Sequence, residues 1–211
     1  MPFYHFPSEF VYWTQISDHD KLKEKIRPII ENLENQVKDS RTFSLCNVIS
    51  SYPHTDPYNL FLKDDQTQHS IVWKPITTML EEMSKKDGFR CINFDHLIIE
   101  GGWFNVYKKN QFQELHNHDG NPSFVNGRMY HPFLSLIYIL DNPNDTNNTA
   151  FKMDEAPCHP RKTDICFMTS EEKTIKEGTV MIFPSTMNHV VAPSSNDGRI
   201  TIAYNVLACF K

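Results

Sequence analysis

Three short stretches of the chain hold side chains whose types and spacing can do chemistry together. The first is Leu115-His116-Asn117-His118-Asp119-Gly120, with histidines two positions apart. In an extended chain, residues i and i+2 point to the same side, with Cα atoms roughly 6–7 Å apart. His116 and His118 can therefore reach one ion, and neutral imidazole is a ligand for iron, zinc, copper and nickel. By itself such a pair is more often a surface feature than a metal site. The second stretch runs Gly178-Thr179-Val180-Met181-Ile182-Phe183-Pro184-Ser185 and reaches Asn188-His189. An apolar run ends at Pro184 and a histidine follows; alone, His189 reads equally as a strand cap or a hydrogen-bonded core residue. The third is Arg199-Ile200-Thr201-Ile202-Ala203-Tyr204-Asn205. Period two puts Arg199, Thr201, Ala203 and Asn205 on one face and Ile200, Ile202, Tyr204 and Val206 on the other. An arginine on such a strand is usually a surface residue. Here its neighbours are small or polar, which leaves room for a ligand, and a guanidinium beside a hydroxyl grips a carboxylate well.

The order of the three stretches says more than any one of them. His189 follows His118 by 71 positions, and Arg199 follows His189 by ten. The pattern resembles the 2-oxoglutarate- and iron(II)-dependent oxygenase superfamily. There, His-x-Asp/Glu and a later His hold iron, and an Arg about ten residues on, commonly in Arg-x-Ser/Thr, binds the far carboxylate of 2-oxoglutarate. More narrowly, the chain resembles small microbial and phage members of that superfamily. The likeness rests on Trp103 and Asn105, His116-x-His118, Ser135 and Tyr138, Gly178 with Phe183-Pro184-Ser185 and His189, and Arg199-Ile200-Thr201-Ile202 with Asn205. It covers about Glu100 to the C-terminus.

The resemblance implies a double-stranded β-helix, that is, a cupin-like jelly roll. It implies iron(II) on His116, His118 and His189, and 2-oxoglutarate as cosubstrate against Arg199 and Thr201, with Tyr138 or Asn105 adding a hydrogen bond. The reaction would be a dioxygenase reaction, a hydroxylation coupled to decarboxylation of 2-oxoglutarate. Its target is a small-molecule or peptidyl C–H substrate that the resemblance does not identify. One departure stands out: the superfamily usually has a carboxylate where this chain has His118. Three histidines could hold the metal, Asp119 could replace His118, or the position could stay open. The related small members also carry His-x-His, so His118 is expected as the ligand, at the cost of one negative charge at the metal. Two other classes are consistent with the residues. One is a three-histidine cupin-like metalloenzyme that does not use 2-oxoglutarate, which leaves Arg199 without a purpose. The other is a non-catalytic jelly-roll binding module.

The elements that must position these residues change character near Asp95. Before it, two helices are expected. Asp18 to about Gln36 carries Leu22, Ile26, Ile29, Ile30 and Leu33 at near-helical spacing, with Pro28 predicted to kink it or delay its start. A second helix starts near Pro75 and stops near Gly88. After it the pattern is β: Phe94 to Ile99, a turn at Glu100-Gly101-Gly102, Trp103 to Lys108, Phe133 to Leu140, Thr179 to Phe183, and Arg199 to Leu207, with short strands near Ala150–Met153 and Ile165–Thr169. Helices first and strands afterwards predicts a mainly β antiparallel sandwich or barrel with packed helices. Trp103, Phe104 and Tyr107 are expected to pack the core, and His96 and His131 to sit in or near the barrel without binding metal. The segment 120–132 reads first as a surface insertion and second as a lid.

Two other motifs are set aside. His54-Thr55-Asp56 is the literal superfamily triplet, but it lies far before the β region, between Pro53 and Pro57, and reads as a turn. Cys158-His159 with Cys166 lacks a Cys-x-x-Cys pair and is a poor zinc site.

A chain of 211 residues predicts one domain over 1–211, with 1–94 as helical support and 95–211 as the β-helix core. The formal net charge of −5 opposes a dedicated nucleic-acid binder. No apolar run approaches the roughly 18 residues of a membrane span. Five cysteines, an odd number, and no secretory pattern from Met1 to Gln15 predict free thiols and a cytoplasmic location. The last strand ends near Lys211, so no appended helix is expected to form a dimer seam, and the oligomeric state is left open.

Overall fold

The computed structural model describes residues 10–37, 48–52, 64–85, 94–143, 149–152 and 166–210. His54-Thr55-Asp56 and the Cys158-His159 pair lie outside them. Helix α1, His19–Val37, buries Leu22, Ile26, Ile30 and Val37 along one stripe. The helix continues past Pro28, which faces solvent, so water can satisfy the carbonyl that loses its donor. The second helical region starts ten residues before Pro75. Asp64 caps α2, Asp65–Gln68, by accepting from the Thr67 N–H at 2.8 Å. A π-helical turn, His69–Trp73, then leads into α3, Lys74–Ser84. The Lys74 N–H donates to the His69 carbonyl across this widened turn, and the next residue, Pro75, has no N–H to donate. The proline therefore lies inside a longer helical run, and the expected start at Pro75 is corrected.

The strands are β1 (Tyr12–Gln15), β2 (Ile49–Ser50), β3 (Phe94–Tyr107), β4 (Gln113–His116), β5 (Ser123–Val125), β6 (Arg128–Asp141), β7 (Thr149–Lys152), β8 (Cys166–Met168), β9 (Thr179–Pro184), β10 (Asn188–Val191) and β11 (Arg199–Phe210). The large sheet has the order β1-β9-β6-β11-β3-β2, with β5 attached to β6; the small sheet is β4-β10-β7-β8. All pairs are antiparallel. This is the double-stranded β-helix, mainly β with helices from the N-terminal part.

Alternation along the long strands divides the large sheet into two faces. Phe104, Val106, Leu136, Tyr138, Ile202 and Tyr204 face the helices and form one core with Ile26, Ile30, Ile71 and Met79. The opposite face meets the small sheet, where Ile137, Ile139, Met181 and Phe183 pack against Phe151. Gly178 makes the turn into β9 with φ +83°, and a Cβ there would lie 3.0 Å from the His19 ring, so close approach and backbone geometry both require glycine.

Two further expectations change. Glu100-Gly101-Gly102 does not turn; β3 continues through it. Asn205 of β11 pairs with Gly101 and Val206 with Ile99, so Glu100 is the extra residue of a β-bulge. The segment 120–132 is a mostly exposed β-hairpin, the surface insertion first expected, but β6 starts at Arg128 and not at Phe133. Its turn residues Asn126 and Gly127 have φ 50° and 78°, as a two-residue hairpin turn with both φ positive requires. His96 and His131, expected in or near the barrel, are exposed on β3 and β6 beside it.

Candidate active site

The histidines meet on the small sheet. His189 of β10 stands directly opposite His116 of β4 in register. His118 lies just past the end of β4, where its N–H donates to the Ser185 carbonyl at 2.9 Å. Ligand nitrogens of the three all lie within 4.8 Å of one another. Asp119 does not join this group and is exposed.

The far side of each ring is tied. His116 Nδ1 donates to the Glu114 carbonyl at 2.6 Å, and His189 Nδ1 to the Met187 carbonyl at 3.2 Å. His118 Nδ1 lies 3.0 Å from both Asn205 Oδ1 and Ser135 Oγ. A carbonyl oxygen only accepts, so the proton sits on Nδ1 and the lone pair on Nε2. Burial, then neighbouring His116, lowers the His118 pKa to about 4. Burial lowers His116, and burial with both neighbours holds His189 well below the usual range. The three rings are therefore neutral near pH 7, the form that binds metal.

Across the same cavity stands Arg199, 1% exposed. Its Nη2 donates to Thr149 Oγ1 at 3.3 Å, and its guanidinium lies 5.0 Å from the centre of the Tyr107 ring. Its Nε and Nη1 have no hydrogen-bond partner, and no carboxylate pairs with it among the described residues. Burial pushes its pKa down. A buried cation without an anion is costly, typically by several kcal/mol, so this end of the cavity calls for an anionic ligand. Thr201 and Asn105 stand beside it; Asn105 Nδ2 approaches Thr201 Oγ1 at 3.5 Å, and its Oδ1 is buried without a partner. The cavity holds about 620 Å³, the size of an ordinary small-ligand site. Three neutral imidazoles at one end and an unpaired guanidinium at the other fit a divalent metal and a small dicarboxylate.

Most of the residues expected from sequence lie in this cavity: Asn105, His116, His118, His189, Arg199 and Thr201. Tyr138 does not. It is fully buried on the helix-facing side, and its hydroxyl meets His19 Nδ1 at 2.6 Å. Ser135 and Tyr138 are three apart on a strand, so they must face opposite ways, and Ser135 is the one at His118. Trp103 and Tyr107 line the cavity, while Phe104 between them packs the core. Thr149, Gln113 and the anchoring role of Asn205 were not foreseen. Asn205 shares the Arg199 face, so parity could have found it; Thr149 follows an Asn-rich loop and gives no signal.

Residues 101–205 match the family model described as "Putative 2OG-Fe(II) oxygenase", a stretch that includes every candidate ligand. No curated protein sequence matches the chain. Solved structures share its fold at low identity. A prolyl-4-hydroxylase of Pseudomonas putida is 10% identical with TM-score 0.53, over 97% of this chain and 93% of that one. HygX of Streptomyces hygroscopicus, with nickel and 2-oxoglutarate bound, is 13% identical with TM-score 0.51, over 94% and 82%. SnoK, a non-heme alpha ketoglutarate dependent carbocyclase from nogalamycin biosynthesis, is 10% identical with TM-score 0.58, over 95% and 80%. Motif, fold and family model agree: residues 101–205 match the 2OG-Fe(II) oxygenase family, and the chain is a 2-oxoglutarate- and iron(II)-dependent oxidoreductase.

Proposed function

We propose that the protein hydroxylates a small-molecule or peptidyl substrate, with His116, His118 and His189 as the iron ligands and Arg199 as the anchor of 2-oxoglutarate. The observation that carries this reading is the buried Arg199 guanidinium, with no carboxylate beside it among the described residues, in the cavity of the three histidines. A cupin-like metal site without 2-oxoglutarate would leave that cation unexplained. Bound iron(II) with 2-oxoglutarate supplies the oxidising power: dioxygen is consumed, succinate and CO₂ leave, and one oxygen atom enters a substrate C–H bond.

The chain's own residues do the rest. Arg199 binds the far carboxylate, its Nη2 steered by Thr149 Oγ1, and Thr201 offers a hydroxyl to the same group. The Asn105 side chain provides a further polar contact. Ile137, backed by Phe183, and Val191, packed with Tyr107, give the cavity wall apolar surface that keeps water out. Asn205 and Ser135 hold the His118 ring from behind.

We further read the whole chain as one domain, because helical and strand residues share a single core. No helix among the described residues is long and apolar enough to cross a membrane. The odd number of cysteines supports a reducing compartment, the cytoplasm.

Calorimetric titration of 2-oxoglutarate into manganese(II)-loaded protein tests the assignment. Arg199→Ala should weaken 2-oxoglutarate binding by roughly 100-fold or more, while manganese affinity stays within about threefold. Equal loss of both would contradict the role given to Arg199.

A further inference from the structure

The mouth of the cavity has a chemistry of its own. Its exposed lining includes Glu100, Asp119 and Tyr52, and Trp103 stands just inside. Among the described residues, Arg199 is the only lysine or arginine lining the cavity, and it lies buried at the opposite end. If 2-oxoglutarate neutralises Arg199, what remains for the substrate is a mouth with two carboxylates and no positive side chain.

Glu100 is there by construction. It is the extra residue of the bulge in β3, and strict alternation would have given its place on the cavity side to Ile99. Instead Ile99 packs with the helix-facing core, and Glu100 lines the mouth. Bulges re-aim side chains in this way, often beside active sites. The Glu100 carboxylate has no hydrogen bond or ion pair among the described residues. Next to it, Gly101 leaves open space: a Cβ there would meet no heavy atom within 4 Å.

The aromatic pair adds an independent preference. Tyr52 and Trp103 meet edge to face, with centroids 4.9 Å apart and planes at 70°. Trp103 also contacts the His118 ring, with centroids 5.2 Å apart. A group resting on this pair is therefore next to the proposed iron ligands. Aromatic faces attract organic cations, most strongly when partly desolvated. A cleft lined by one sign of charge also focuses its field on an entering ion. That the cavity receives ligands at all rests on the unpaired, buried atoms of Arg199 and Asn105. The mouth decides which kind enters second.

We infer that the substrate carries an ammonium or guanidinium group, received between Glu100, Asp119 and the Tyr52–Trp103 corner, with the oxidised C–H bond on the chain attached to it. The inference rests on the oxygenase reading above. Glu100 and Asp119 are specificity-determining residues in this account, not participants in the oxidation.

The test is binding to nickel(II)-loaded protein with 2-oxoglutarate present, followed by calorimetry or ligand-observed NMR. The probes are arginine against citrulline and lysine against norleucine, each as the free amino acid and as its N-acetyl amide. In each pair the charged member should bind roughly tenfold or more tightly. E100Q and D119N should each reduce that ratio by roughly threefold, and the double variant should bring it close to one, leaving the neutral probes unchanged. Preference for the free amino acids points to a metabolite, and preference for the amides to a peptidyl side chain. Equal binding within pairs, no binding of any cation at about 10 mM, or a preference that survives E100Q/D119N would overturn the inference. 2-Oxoglutarate binding measured on the same samples separates the two claims. If it is intact without a cation preference, the substrate inference falls alone; if it is absent, the reading beneath it falls.

Discussion

The two faces of the large sheet are made by the same strands and have opposite character. On the helix side, Phe104, Leu136, Tyr138, Ile202 and Tyr204 are sealed in a continuous apolar core. One residue away along each strand, Asn105, Arg199, Thr201 and Asn205 line the cavity and Ser135 stands behind His118, and polar atoms of Asn105 and Arg199 have no partner among the described residues. The helix-side face stabilises the fold, while the cavity face gives up stability to keep groups ready for ligands. Because the two sets alternate, neighbouring substitutions should separate the effects.

The largest effect on stability should come from Phe104→Ala. It removes a fully buried ring and should lower unfolding free energy by about 3–5 kcal/mol in urea titrations, leaving 2-oxoglutarate affinity of the folded fraction within about twofold. Loss of cosubstrate affinity at unchanged stability would mean that the faces are not separable. Next comes Asn205→Ala. The rings of His116 and His189 are held by carbonyls two residues back in the chain, but His118 depends on side chains of the large sheet. Competition with a chromophoric chelator should show roughly 10-fold weaker metal binding, as for other residues that orient ligands. Unchanged affinity would mean that Ser135 suffices.

Tyr138→Phe should cost about 1 kcal/mol of stability through the lost bond to His19, with no change in 2-oxoglutarate binding. A raised cosubstrate requirement would return Tyr138 to the site. The smallest effect concerns Glu177. Burial alone would raise its pKa, but hydrogen bonds from Lys23, the Asn142 N–H and His19 outweigh burial and hold it at about 2. Its folded pKa lies below the usual value of about 4.5, so its contribution is complete above pH 4.5 and is lost as pH falls toward 2. Partial exposure limits this to about 1 kcal/mol, and Glu177→Gln should flatten that part of the stability–pH curve. An unchanged slope would remove Glu177 from the account.

Much of this division was readable from the chain. Period two on 199–205 separated Arg199 and Thr201 from Ile200 and Ile202, and the structure has the same two faces. The same rule, applied to 133–140, would have excluded Tyr138, but there the family motif outweighed parity. Glycines at 101–102 suggested a turn because Gly marks turns in general; a bulge uses the same freedom without breaking the strand. Pro75 suggested a helix start because proline suits a first turn, and a π-helical turn before it is invisible to periodicity. Thr149 and Gln113 reach the cavity through pairings of distant strands, which no local pattern encodes.

The central claim is that Arg199 anchors 2-oxoglutarate opposite a three-histidine iron. Anaerobic titration of the iron(II) protein with 2-oxoglutarate, followed by the visible charge-transfer band of the chelate, tests it most directly. The account predicts a saturating band in the wild type and, in Arg199→Met, full iron loading with a band that needs roughly 100-fold more 2-oxoglutarate. Iron binding without any band, or identical titrations in the two proteins, would contradict it.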